Sequence, residues 1–352
     1  HDPLRRQRQM CIRDSYKPKG FDIDYYYAAE PNRPYTKLPK TPSISIHPSI
    51  ERYISHVREH KFYPFYVANC SNLSVTALNN FGSISVSHNE NIFNDVSTRY
   101  EFNVDQENDF RSLSGKSVLL SMDSAANYFH WLCQVLPRID LLRQHGVDLS
   151  EVDNFLIPSI KSKFIEESLN HFGIKKSQLI YQNENTDYIF SDVVVPCEAN
   201  HHIHLSKWSI EFLNNEFLVP QKFNKKIYIH RESSNGRNIF NEEEVYSLLD
   251  SLGFVKVELE NFTIQDQAAI FNAADVIISP HGASLANLIF CRKGTKVIEL
   301  FNSSYFSPLY WNICNIKDLD YYYIQSKGEI FSPPEDKIQS IKVDLSSLKF
   351  II

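Results

Sequence analysis

The sequence predicts an α/β protein built from two units, each a sheet covered by helices, and three observations predict it. From 225 to 300, short apolar runs alternate with helical segments of about ten residues, the pattern of βαβ crossovers and of a parallel sheet covered on both faces. From 117 to 196 the same alternation is present in looser form. The chain has 352 residues, 43% of them hydrophobic, and that length exceeds the roughly 100 to 200 residues of a single domain. Two such halves would form a cleft.

The opening HDPLRRQRQMCIRDS lacks an initiator Met and reads as translated sequencing-adapter sequence, so residues 1–15 are set aside as non-native and an anchor could have been lost with the native start. Residues 16–50, rich in Pro, Lys, Tyr and Ser without an apolar period, are expected to form an irregular arm. The first domain is placed at 51–220. Its early part holds β-prone runs, FYPFYVANC, SVTAL, SISVS and SVLLS, separated by Asn, Ser and Gly turns. The first strong helix is DSAANYFHWLCQVLPRIDLLRQHG, capped by Asp123 or Ser124. Tyr128, Trp131, Leu132, Val135, Ile139 and Leu142 recur in it at three- and four-residue steps. Pro137 cannot donate to the carbonyl of Cys133, which predicts a kink or break. Strand DNFLIP, helix KSKFIEESLNHFG, strand DVVVP and a helix over 206–222 follow.

The second domain is placed at 221–330, with 331–352 as a tail. It reads as strand KKIYIHR, helix NEEEVYSLLDSLG, strand GFVKVELE, helix TIQDQAAIFNAAD, strand DVIIS, helix ASLANLIFC and strand KVIEL. Thr263 and Asp266 have capping-box spacing.

With 36 basic against 42 acidic side chains, a net charge of −6 excludes a non-specific nucleic-acid binder, which needs a basic surface to displace counterions. The six cysteines, at 11, 70, 133, 197, 291 and 314, form no CxxC, as expected where thiols stay reduced. A cytosolic location is therefore expected. No apolar run is long enough to span a membrane.

The chemistry is expected at the carboxyl edge of the second sheet. There Ser279-Pro280-His281-Gly282-Ala283-Ser284 joins a buried strand to a helix, and unpaired amides with the helix dipole favour an anion. Arg231 ends the first strand of this half and Arg237 lies in the following loop. Two guanidiniums at one edge can grip a diphosphate through forked hydrogen bonds. Glu299 closes the strand KVIEL, where a carboxylate could accept from ribose hydroxyls. In the first domain Asn127, His130, Gln134 and Arg138 fall on one side of the helix, opposite the apolar stripe. Histidine as a residue type titrates near neutrality, so His130 could take a proton from an attacking hydroxyl.

Two patterns are set aside. His201, His202 and His204 lack a metal-ligand partner at recognisable spacing, and the pairs Asp22/Asp24 and Asp318/Asp320 close no well-formed apolar strand. No metal is expected.

NYFHWLCQVLPRIDLL, the R-x5-R-x3-N-E loop from Arg231 to Glu242, and SPHGASLANLIFCRKGTKVIEL together resemble glycosyltransferase family 61. The resemblance runs over roughly 115–305. It implies a GT-B-like fold, two Rossmann-like domains facing across a cleft. It also implies an inverting, metal-independent transferase without a cofactor, using a nucleotide-sugar co-substrate, with a UDP-sugar favoured. Donor-phosphate contacts are implied for Arg231, Arg237 and the turn from Pro280 to Ser284. An acceptor-side role is implied for Asn127, Tyr128, His130 and Trp131, with Gln134 and Arg138 beside them. Many relatives carry Asp where this chain has Gln134, which throws the role of base onto His130. The acceptor is expected to be a glycan or lipid-linked molecule in bacterial polysaccharide or capsule biosynthesis, reached in the cytoplasm or at the periphery of the inner membrane. A nucleotide-sugar- or glycan-binding protein of the same fold without catalysis stays open as the alternative.

Overall fold

The computed structural model describes residues 22–27, 40, 48, 65–88, 91–92, 109–198, 205–220, 225–231, 238–303, 305–326 and 340–352. The chain divides into two compact α/β units, His1–Pro31 with Lys61–His202, and Asn32–His60 with Ile203–Ile352.

The first unit carries β1 (Asp22–Tyr27), β2 (Phe65–Ala77), β3 (Ile84–His88), β4 (Asn91–Ile92) and β5 (Asp109–Leu119). Helix α1 follows, as Tyr128–His130, a π-helical turn Trp131–Val135, and Pro137–Gln144. Then come β6 (Asn154–Ile157), α2 (Lys163–His171), β7 (Leu179–Tyr181) and β8 (Thr186–Pro196). The sheet order is β4-β3-β2-β8-β5-β6-β7, with β1 also on β2. Strands β8, β5, β6 and β7 run parallel, and β2 pairs antiparallel with β8, β3 and β1. Burial follows this division. Val193, Val194 and Val195 of β8 are all buried, as on a strand covered on both faces, whereas along β2 buried Leu73, Val75 and Ala77 alternate with half-buried Ser74 and Thr76. Asp22–Tyr27 lie where an irregular arm is expected and instead form an edge strand.

Asn127, rather than Asp123 or Ser124, caps α1, its side chain accepting from Phe129 N at 2.9 Å. The expected break at Pro137 takes the form of the π turn. Leu136 N bonds to Trp131 O at 3.0 Å, and Pro137, which has no donor to place, starts the next segment. Trp131, Leu132, Val135, Ile139 and Leu142 are buried as the stripe predicts.

Arg138 departs from the predicted open polar strip. It is 1% exposed, and its guanidinium donates to the carbonyls of Leu119 (2.9 Å), Leu120 (3.0 Å) and Pro196 (2.7 Å), tying the carboxyl ends of β5 and β8 to α1. Burial pulls its pKa down to about 10, which still leaves it charged at neutrality. Its place in an acceptor-side cleft is thereby corrected to a clamp inside the first unit.

From Ile203 onward the second unit carries α3 (Lys207–Phe217), which the sequence places in the first domain; Asn214 Nδ2 donates to Ile289 O at 3.0 Å. It continues with β9 (Lys225–Ile229), α4 (Glu242–Ser251), β10 (Phe254–Val257), α5 (Ile264–Ala273), β11 (Ala274–Pro280), a 3-10 helix Ala283–Phe290, β12 (Lys296–Phe301), α6 (Leu309–Lys317), β13 (Asp320–Gln325) and α7 (Leu345–Ile351). The five strands are all parallel, in the order β10-β9-β11-β12-β13. Thr263 and Asp266 form the predicted capping box on α5. The predicted tail contributes α7, whose Leu348 and Ile351 join the core built on Tyr228, Ile278 and Ile298.

Replacing Arg138 by Ala leaves three buried carbonyls without donors and should cost the first unit on the order of 3 kcal/mol. A urea midpoint indistinguishable from wild type would refute the clamp.

Candidate functional site

Chain connectivity fixes where a ligand can enter the second sheet. Strand β9 starts the sheet, the chain moves outward to β10, then crosses back to lay β11 on the other side of β9. The crossovers therefore leave in opposite directions at the β9/β11 boundary, the switch point where open α/β sheets bind ligands. Arg231 emerges from β9 at this point, and His281 and Gly282 emerge from β11. The two loops meet there, with Arg231 Nη1 donating to His281 O at 3.2 Å.

Gly282 has φ 179°, extended backbone open to any residue. A Cβ on Gly282 would meet Nη1 of Arg231, the movable end of a long side chain, so glycine here gives the guanidinium room to approach the backbone. Beyond it, the first bond of the 3-10 helix runs from Leu285 N to Gly282 O at 3.1 Å. The amides of Ala283 and Ser284 therefore lie ahead of the helical ladder, at its positive end. A guanidinium and leading amides at one sheet edge suit an anion.

The His281 ring is inside rather than on the rim, with the residue 5% exposed. It stacks on Phe301 at 5.1 Å between centroids, with Tyr305 and Tyr310 each 5.2 Å away. Its Nδ1 lies 2.5 Å from Glu299 Oε1, and the second carboxylate oxygen, Oε2, accepts from Tyr321 Oη at 2.6 Å. Glu299 is 0% exposed, so the expected role as a rim acceptor for ribose hydroxyls is replaced by an internal one. Burial, with Glu299 next to it, pushes the Tyr321 phenol well above the ordinary tyrosine range, and burial does the same to the thiol of Cys314.

Tyr321, Phe301, Tyr305 and Tyr310 escaped the sequence analysis. The signal that could have found Tyr321 is the β-prone run DYYYIQ, Asp320–Gln325. A second pair beside the site was also missed, His230 Nδ1 to Glu242 Oε1 at 2.6 Å, with Tyr228 Oη donating to the same oxygen at 2.9 Å. Arg237 lies outside the described residues.

In the first unit, Asn127 is exposed at the start of α1 and Tyr128 packs edge-on to Phe164, 5.2 Å between centroids. His130 is half-buried, its Nδ1 against Oε1 of the buried Gln134. Trp131 is fully buried, and its indole N–H donates to Ser168 Oγ at 2.9 Å, so it supports the helix from behind instead of presenting a surface. Of the patterns set aside, Asp318 pairs with Lys293 and Asp320 with Lys40, each at 2.5 Å. His201, His202 and His204 lie outside the described residues, as do the side chains of Asp22 and Asp24. Among the described residues no group of three or more His, Cys, Asp or Glu is placed to hold a metal ion, and no helix is long and apolar enough to cross a membrane.

Comparison with known proteins bears on the same stretch. The family profile described as Glycosyltransferase 61 matches residues 128–298. The chain carries a family 61 glycosyltransferase domain. The family 61 match opens on α1 and closes inside β12, so it takes in His130, Arg231, His281 and Gly282 and stops one residue before Glu299. A β-1,2-xylosyltransferase, RCN11, of Oryza sativa subsp. japonica is 28% identical over 96 residues, 25% of this chain and 18% of its own length. EGF domain-specific O-linked N-acetylglucosamine transferases of Canis lupus familiaris and Rattus norvegicus are 24% and 25% identical over 123 residues, in each case 34% of this chain and 23% of the relative. The matched stretches thus span about a fifth of the length of these curated relatives.

If Arg231 is what demands glycine at 282, Gly282→Ala should cost about 1 kcal/mol by crowding the guanidinium. Most of that loss should vanish in an Arg231→Ala background, because the cycle isolates the one contact. Additive losses in thermal denaturation would show that the contact is not the constraint.

Proposed function

We propose that this protein is an inverting glycosyltransferase that moves a sugar from a nucleoside-diphosphate sugar, a UDP-sugar by preference, to a hydroxyl of a glycan or glycolipid, without a metal. The observation that carries the reading is the meeting of Arg231 with His281 and Gly282 at the switch point, inside the family 61 stretch. The names of the relatives make pentose and N-acetylhexosamine donors the first to try.

The reaction is one displacement. The acceptor oxygen forms a bond to the anomeric carbon as the bond from that carbon to the β-phosphate oxygen breaks, and the configuration inverts. The acceptor proton passes to Nε2 of His130, whose Nδ1 faces Gln134 Oε1 and so carries the ring's own proton. The electron pair of the broken bond leaves on the diphosphate. Its growing charge is met by the guanidinium of Arg231 and the leading amides of Ala283 and Ser284, with Arg237 assigned to the same anion. Donors already in place when that charge appears lower the barrier without reorganising. We place the reaction in polysaccharide or capsule assembly of bacterial type, in the cytoplasm or at the periphery of the inner membrane.

One observation favours a second reading, a protein that binds nucleotide sugars without transfer. The partner of His130 is an amide, which orients the ring but brings no negative charge to it.

The test is transfer from a panel of nucleotide sugars to glycan acceptors, read with and without EDTA. Activity should survive the chelator, and Arg231→Ala should lower kcat/KM by roughly a hundredfold or more, as expected for a lost charge-stabilising donor. Activity that requires added Mn²⁺ or Mg²⁺ overturns the metal-free scheme. Calorimetric binding of a nucleotide sugar with neither transfer nor hydrolysis decides for the second reading.

A further inference from the structure

We propose that Glu299 and Tyr321 are positioning residues for His281. Together they form a buried relay that holds the imidazole with its proton on Nδ1 and leaves Nε2 as the ring atom offered to the donor. The inference rests on the donor site proposed above, and both residues lie beyond the stretch matched by the family.

Strand register puts the parts on one face. Glu299 is opposite Ser279 of β11 and Tyr323 of β13, and Tyr321, two residues before Tyr323, points to the same side. His281 follows β11 and stacks on Phe301, two residues after Glu299 and so also on that side. Tyr310 of α6 closes over the ring. The carboxylate is thus reached by two donors from flanking strands, Nδ1–H of His281 and Oη–H of Tyr321, one to each oxygen.

An ionisable group fully removed from water is expensive, and an apolar residue of similar volume usually serves a core at least as well. A Glu in an interior strand of this sheet therefore calls for a role that an apolar side chain cannot fill. A carboxylate that accepts Nδ1–H fixes both the tautomer and the plane of an imidazole, as it does behind metal-bound and catalytic histidines. Tyr321 fixes the carboxylate in turn. With its phenol held far above its ordinary range, Tyr321 remains a donor throughout the working pH range. Nε2 has no hydrogen-bond partner among the described residues. It belongs to the residue whose carbonyl receives Arg231, so the relay ends where the guanidinium begins.

The experiment has one arm without ligand and one with UDP as probe. In the chain labelled with ¹⁵N-histidine, with the His281 signals assigned by their loss in His281→Gln, the ring should be the Nδ1-protonated tautomer at mildly alkaline pH. Both Tyr321→Phe and Glu299→Gln should mix the tautomers. By calorimetry Tyr321→Phe should weaken UDP binding on the order of tenfold, the usual effect of removing an orienting partner, and should add little in a His281→Ala background. An Nε2-protonated ring in the wild type overturns the relay. So does a Tyr321→Phe loss that persists undiminished without His281, or a drop in melting temperature with unchanged tautomer and affinity. Should Glu299→Gln fail to fold, Tyr321→Phe carries the test, since it keeps the ring and its packing. If wild-type protein binds no UDP, the donor site fails, while the ligand-free spectra still decide the relay.

Discussion

The candidate site depends on the parallel pairing of β9 with β11. Arg231 and His281 are fifty residues apart, and nothing local in the chain brings them together. Adjacency of the two strands does so through the backbone ladder, in which Ile227 pairs with Ile277 and Tyr228 with Ile278. The loops that leave these strands must then share one small area of the sheet edge. Because β10 and β12 lie on opposite outer sides of this pair, the crossovers diverge and leave that area uncovered. Gly282 is the local consequence. Where the two loops meet, a position without a side chain leaves room for the guanidinium to reach the His281 carbonyl.

What was legible in the sequence follows from which interactions are local. The strands of the second unit are short apolar runs bounded by capped helices, and both signals sit within a few residues, so the alternation from KKIYIHR to KVIEL reads directly. Arg231, His281 and Gly282 could be singled out because each follows an apolar strand, and chemistry in such sheets collects at strand ends. Strand order is a long-range property, and without it Glu299 could only be read as a residue at an open edge. Its burial is decided by His281, eighteen residues earlier, and Tyr321, twenty-two later. The edge strand β1 was lost for a similar reason. Its sequence DIDYYY carries no clear alternation, and its state is set by β2, some forty residues on.

Helix α1 shows how one residue limits a periodicity argument. A polar strip from Asn127 to Arg138 assumes an unbroken 3.6-residue period. The π turn before Pro137 takes an extra residue into one turn, so residues beyond it are rotated from their ideal places. His130 and Gln134, at and within the turn, still meet, whereas Arg138, beyond it, swings inward to the carbonyls of β5 and β8. Pro137 announced the break, but a missing donor cannot say whether the chain will kink, end or widen into a π turn. The packing of α1 on the sheet selects among these.

The two histidines of the proposed mechanism are oriented alike and served differently. Each has Nδ1 directed at an oxygen, Gln134 Oε1 for His130 and Glu299 Oε1 for His281. An amide oxygen orients without charge, while a carboxylate both orients and stabilises a positive ring. A proton acceptor that must give its proton up again after each turnover can work with the neutral partner. A ring whose Nε2 is to be offered to the donor gains from the charged one, because a carboxylate holds Nδ1–H more firmly than an amide oxygen can. The buried carboxylate thus stands behind the histidine beside Arg231, and the neutral amide of Gln134 behind the other.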